Sequence, residues 1–185
     1  MKGNLIVLFD RKEKSRLRYG MPDRNANVFG FRCVHCNGFV TLDPGFSGVQ
    51  NRNHCPYCLW SRHLDLYGAG DRLSACKAAM EPIGLTIKIT RNKYGPGRGE
   101  LMLVHACKAC GAFSINRIAA DDDPRTIFAV YESSIQMAGT FQERLDADGI
   151  HLLGKDDNSQ IRLQLFGDDT RLLRMHPIDS LIRAG

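Results

Sequence analysis

Asn51-Arg52-Asn53-His54-Cys55-Pro56-Tyr57-Cys58 is the stretch on which the reading of this chain turns. It ends in a Cys-x-x-Cys pair, and two further pairs flank it: Cys33 with Cys36 upstream and Cys107 with Cys110 downstream, leaving Cys76 as the single remaining cysteine. A two-residue gap lets both thiolates of a pair turn back toward one point about 2.3 Å from each sulfur, the geometry that tetrahedral zinc requires. Eighteen residues separate Cys36 from Cys55, inside the separation of a four-cysteine zinc site. The first expected site is therefore Cys33, Cys36, Cys55 and Cys58. The second needs Cys107, Cys110 and two more donors. Cys76 is the obvious third, and His63, His105 and His54 are the near candidates for the fourth. His105 is separated from Cys107 by a single residue and, as a strand residue, would have to bend back to reach the same ion, whereas His63 points to the face opposite Leu64 and Leu66 and is favoured.

The 185 residues suit one domain, or a small metal-stapled domain with an extension. A hydrophobic content of 43% and a charged content of 24% are those of an ordinary globular protein. No apolar run approaches the roughly 20 residues needed to span a bilayer, and the patch Leu5 to Phe9 is too short for a secretory signal. The expected location is cytoplasmic, where cysteine pairs point to metal or redox chemistry rather than to disulfides. The net charge of +5 is uneven. Residues 1–27 carry 7 basic and 3 acidic groups, residues 28–123 carry 11 and 8, and residues 124–185 carry 7 and 9. That distribution permits a nucleic-acid partner for the first two thirds of the chain.

Residues 1–27 form a basic arm in which Arg11, Lys12, Lys14, Arg16 and Arg18 are candidate phosphate contacts. From Val28, Phe29, Phe31 and Cys33 recur at period two and predict a short strand, with Gly38 supplying a positive φ after Cys36. Pro44 to Gly48 reads as a loop. Leu85, Ile87 and Ile89, answered by Leu101, Leu103 and His105, predict a β-hairpin, and Phe113, Ile115 and Arg117 a third strand. The hairpin connection carries Arg91, Lys93, Tyr94 and Arg98, three cations and a ring suited to RNA. Asp123 before Pro124 marks a helix start. Ile127, Val130, Tyr131, Ala138, Phe141 and Leu145 share one helical face with an interruption at Gly139. Ile150 to Leu153 and Ile161 to Phe166 predict a second hairpin. The fold class expected is small α+β: a zinc-ribbon-like, β-rich domain over 28–123 with two metal knuckle sites, and a C-terminal α/β extension over 124–185.

Cys55-Pro56-Tyr57-Cys58 also matches the dithiol of glutaredoxins, but there the motif follows a buried strand and opens a helix, whereas here a polar, turn-forming segment precedes it. A zinc deaminase needs His-x-Glu, and this chain has none. A metal-dependent nuclease built on His54, Asn53 and His63 is a weaker alternative. The run Asp121-Asp122-Asp123 reads as a helix cap with solvated neighbours.

Arg52-Asn53-His54-Cys55-Pro56, preceded by Cys33-x-x-Cys36 and followed by Leu59-x-Ser61-x-His63-x-Asp65, resembles the RNHCP domain family. Gly70-Asp71-Arg72, Cys76, Met80-x-Pro82, His105-x-Cys107-x-x-Cys110-Gly111, Asn116-Arg117 and Asp121-Asp122 follow in the family's order, and Asn37 departs from its usual glycine. The resemblance covers about residues 28–123 and implies a small zinc-ribbon-like domain in cytosolic proteins. Together the residues and the resemblance lead to these expectations: two zinc ions, no catalysis because both sites are closed by four protein ligands, and RNA or the ribosome as partner. A zinc-stabilised protein-interaction module, docking through residues 124–185, is the competing reading.

Overall fold

The computed structural model describes residues 30–89, 99–136 and 141–167. Arg11, Lys12, Lys14, Arg16 and Arg18, the loop cations Arg91, Lys93 and Arg98, Tyr94, and the positions Val28, Phe29, Ala138 and Gly139 lie outside these residues.

A short hairpin opens the described chain: β1 (Gly30–Arg32) pairs antiparallel with β2 (Phe39–Thr41), with Phe31 opposite Val40. The expected loop after it is instead the single-turn helix α1 (Pro44–Ser47). The Asp43 carboxylate accepts from Gly45 N at 2.8 Å, and Pro44 fills the first helical position. This is the same cap-then-proline signal that was read at Asp123, here closing only one turn.

The main sheet has the order β3 (Ser61–Arg62), β4 (Ala79–Lys88), β5 (Glu100–Cys107), β6 (Phe113–Arg117), all antiparallel. The predicted hairpin and third strand are present, with Leu85 opposite Leu103 and Val104 opposite Ile115. β4 begins well before Leu85 because a register shift between Pro82 and Gly84 absorbs the missing proline N–H. β5 is buried along its whole length. Its near-continuous apolar run is what a strand covered on both faces requires.

Helices supply both covers. α2 (Pro124–Gln136) and α4 (Asn158–Phe166) bury Ile127, Phe128, Tyr131, Ile161 and Phe166 against Leu59, Leu85, Leu101 and Leu103 on one face. On the other, α3 (Gln142–Ala147) brings Leu145, flanked by Phe141, Ile150 and Leu152, onto Ile83, Val104 and Ala106. Phe141 and Leu145 therefore do not continue the face of Ile127 and Tyr131; they belong to a separate helix on the opposite side of the sheet. The expected second hairpin is also absent. Ile161 to Phe166 is helical, entered through a 3-10 turn at Lys155–Asp157 and stopped at Gly167, φ 62°. Alternating Ile161, Leu163 and Leu165 fit either period, and burial of Ile161 and Phe166 under α2 decides for the helix, leaving Leu163 exposed. Residues 151–153 instead run along the open part of β4, where Leu153 N donates to Leu85 O at 2.9 Å and Thr86 Oγ1 to His151 O at 2.7 Å. They cover an edge that would otherwise be unpaired.

Four backbone positions take the left-handed conformation directly after a cysteine: Asn37 (φ 60°), Leu59 (φ 61°), Lys77 (φ 54°) and Gly111 (φ 72°). The positive φ expected at Gly38 thus falls on Asn37. For lysine this conformation costs about 1–2 kcal/mol, against about 0.5–1 kcal/mol of extra chain entropy lost by glycine. Lys77→Gly is expected to stabilise the protein by about 0.5–1 kcal/mol. Denaturant unfolding at saturating metal reads it, and a fall in stability would mean that the exposed contact of Lys77 Nζ to Arg72 O, 3.1 Å, outweighs the strain.

Candidate metal centres and the buried motif beside them

Each Cys-x-x-Cys pair folds into the same loop. The N–H of its first cysteine donates five residues ahead, Cys33 to Gly38 O at 2.9 Å, Cys55 to Trp60 O at 2.9 Å and Cys107 to Ala112 O at 2.8 Å. The residue after its second cysteine donates back to the first cysteine's carbonyl, at 3.1, 2.9 and 3.0 Å for Asn37, Leu59 and Gly111. The left-handed residue turns the chain back so that the next residue's carbonyl can accept the first bond, so its place is set by the cysteine spacing and not by where glycine happens to occur.

The knuckles meet in two tetrads. Cys33, Cys36, Cys55 and Cys58 form one, and His63, Cys76, Cys107 and Cys110 the other, with the ligand atoms of each within 4.8 Å of one another. Cys33 Sγ lies 3.5 Å from Cys58 Sγ, and Cys36 Sγ 3.5 Å from Cys55 Sγ. In the second tetrad Cys76 Sγ is 3.6 Å from Cys107 Sγ, and His63 Nδ1 3.3 Å from Cys110 Sγ. A tetrahedron with metal–sulfur bonds of about 2.3 Å has edges of about 3.8 Å. The observed spacings are near that value and far beyond a disulfide's ~2.05 Å.

His63 reaches its tetrad through a backbone clamp. His63 N donates to Ala78 O at 2.9 Å and Lys77 N to His63 O at 3.2 Å, which sets His63 opposite Lys77 and Ala78, next to Cys76, just beyond the β3–β4 pairing. The loop between them is tied by two carboxylates. Asp71 accepts from the N–H groups of Leu66, Tyr67, Gly68 and Leu73, and Asp65 from those of Gly70 and Arg72. The N–H of Leu73, followed by the other three, holds the Asp71 carboxyl well below its ordinary value.

The thiols test whether a cation fits. Burial pushes Cys55 and Cys58 up, and neighbouring thiolates add to the effect. At Cys36 the N–H of Gly38 prevails and draws the thiol down to about 7. At Cys107 burial raises the value, but the N–H groups of Cys110 and Ala109 outweigh it and bring the thiol to about 6. Four thiolates cannot share one partly buried point without a counter-charge, and a divalent ion is the counter-charge that deprotonates them all. Both donor sets, four sulfurs and three sulfurs with one imidazole, suit a soft tetrahedral ion.

Neither other histidine is a ligand in this arrangement. His105 is fully buried, its Nε2–H directed to Leu59 O at 2.7 Å while Nδ1 accepts from Asn116 Nδ2 at 2.9 Å. Burial draws its pKa down to about 3, which keeps the ring neutral. His54 donates from Nε2 to Asp122 Oδ2 at 2.7 Å. The same carboxylate accepts from Ala119 N at 2.7 Å and from Arg52 Nη2 at 3.0 Å, while Arg52 Nη1 reaches both oxygens of Asp121 at 2.7 and 2.6 Å and Nε donates to His54 O at 3.1 Å. Asp122 is therefore not a solvated neighbour of a cap, as the sequence suggested, but a buried partner of a fully buried arginine, while Asp121 stays exposed and pairs with the same guanidinium from the solvent side. Asp123 alone caps α2, its carboxylate accepting from Arg125 N and Thr126 N, 3.2 Å each.

Sequence reasoning assigned no role to Arg52, Asp65 or Asp71 and read Asp122 as a neighbour of a cap. The only signal was their place in the resemblance. Among the described residues no helix is long and apolar enough to cross a membrane. No curated protein and no solved structure matches the chain. The family model of the RNHCP domain matches residues 28–128, more than half of the sequence, spanning both tetrads and the arginine–histidine–aspartate cluster between them. The chain belongs to the RNHCP domain family.

Proposed function

We propose that this is a non-catalytic protein that holds two zinc ions and binds RNA, free or on the ribosome, in the cytoplasm. The observation that carries the reading is that each tetrad is complete in four protein donors, which leaves no coordination position for an activated water. His54, the one histidine of the motif that could act as a base, is buried against Asp122 and has no path to a substrate. Cys55 is wholly buried inside a tetrad, which removes it as an exchanging thiol. Hydrolysis of RNA or DNA that His54→Ala abolishes with zinc retained would overturn the non-catalytic reading.

The charge distribution supports RNA: the basic excess sits in residues 1–123, with Arg11 to Arg18 and Arg91 to Arg98 as the densest clusters. The competing protein-docking reading drew on the acidic residues 124–185. The helices of that segment, however, spend their apolar faces covering the sheet, which explains their presence without a partner. RNA or ribosome association is expected to weaken steeply with salt, and Arg91→Ala, Lys93→Ala and Arg98→Ala together to flatten that slope. Sedimentation of lysate at low and high salt checks both. A protein that stays soluble at low salt and recovers no RNA on pull-down would be an interaction module instead.

A further inference from the structure

We propose that the first knuckle is a stacking platform for unpaired bases of single-stranded RNA. The proposal rests on the RNA reading and gives it a site. His35 and Trp60 already lie ring on ring, centroids 4.3 Å apart and planes 4° from parallel. Tyr57 is 65% exposed with its ring against Gly38, where an added Cβ would come within 3.0 Å of it. Phe39 is 46% exposed, and its ring covers Gly30 closely enough to leave no room for a side chain there. These rings are seated on backbone rather than buried by other side chains. Each stands on or beside a loop closed by the same four thiols, so little freedom is left to lose when a ligand arrives.

Charge selects the kind of ligand. Residues 30–42 and 53–64 contain Arg32 and Arg62, both exposed, and no aspartate or glutamate. Four thiolates around a divalent ion leave a charge of about −2, which the two arginines offset. The face is thus near neutral and aromatic, suited to the π-faces of bases. Bases inside a duplex are already stacked and cannot reach it.

The chain's single tryptophan lies in the platform, so its fluorescence reports occupancy directly. Zinc-replete full-length protein would be titrated with a uridine dodecamer and, separately, with an RNA duplex of equal length. Saturable quenching of Trp60 by the single strand alone is expected. Tyr57→Ala and Tyr57→Leu should each raise Kd about tenfold with zinc content and salt slope unchanged, whereas Tyr57→Phe should bind like the wild type. Binding that is salt-dependent but neither quenches Trp60 nor responds to Tyr57→Ala would overturn the platform and leave the RNA reading standing. Equal binding of the duplex would also overturn it. Absence of RNA binding would overturn both, and Tyr57-dependent recovery of a protein without RNA would reassign the face to a peptide.

Discussion

Cys55→Ser is expected to lower the bound zinc from two ions per chain to one and to open residues 30–60, while β4, β5 and β6 stay folded. Apart from Leu59 in the main core and the contacts of Arg52 and His54 to Asp122, the first knuckle has little else to hold it. Its core is Cys33, Val40 and Cys55, with Phe31, Cys58 and Trp60 at the margin. At about 1.5–3 kcal/mol for a fully buried large apolar side chain, that cluster cannot replace a structural zinc, worth about 10–16 kcal/mol in zinc-dependent peptides. The sheet has two further cores, to which residues 30–60 contribute only Leu59. Elemental analysis and amide exchange measure the two parts of the claim. Two retained ions, or unchanged protection at Cys33 and Val40, would refute it; a chain that stays folded but loses thiol–disulfide exchange would restore the glutaredoxin reading.

The second large effect is expected at Asp122. Asp122→Ala should cost about 3–5 kcal/mol, because it strips the partner from an arginine whose side chain is 0% exposed and removes the acceptors of His54 and Ala119 N. Asp121 remains on Arg52 and sets the loss toward the lower end of that range. Much of the cost is the stranded cation, so Arg52→Met combined with Asp122→Ala should lose less than the two single losses added together. Denaturant unfolding at saturating zinc gives all three values. A loss under about 1 kcal/mol for Asp122→Ala would place the cluster among ordinary surface ion pairs.

What the sequence discloses is what is local in it. Both tetrads were legible because the ligand type is chemically narrow and a two-residue gap works in any context, and His63 followed from the direction of a strand. The β4–β5–β6 meander was legible for a similar reason, its alternation surviving between glycine-rich turns. The Arg52–Asp122 pair was not. Its partners stand 70 positions apart, and three adjacent aspartates before a proline look like a cap whether or not one of them turns inward. Nor could α4 be told from a strand, since both periods put Ile161 inside and only the neighbouring helix breaks the tie. Gly38 was credited with a conformation that belongs to Asn37, because composition marks where a backbone may bend and hydrogen-bond closure decides where it does.

The two tetrads follow one another in the chain, the first ending at Cys58 before the second begins at His63, and that imposes an order of assembly. Cys58 and His63 are near neighbours in the chain yet serve different ions. The first ion ties residues 25 positions apart at most, the second residues up to 47 apart, with the long β4–β5 hairpin folded between them. Closing the longer loop is entropically dearer and waits for the hairpin to pair. During synthesis the first centre can load while the rest of the sheet is still on its way, whereas the second can load only after Cys110 has arrived and β5 has docked. An ion in the second tetrad would therefore act as a latch that only a finished sheet can close.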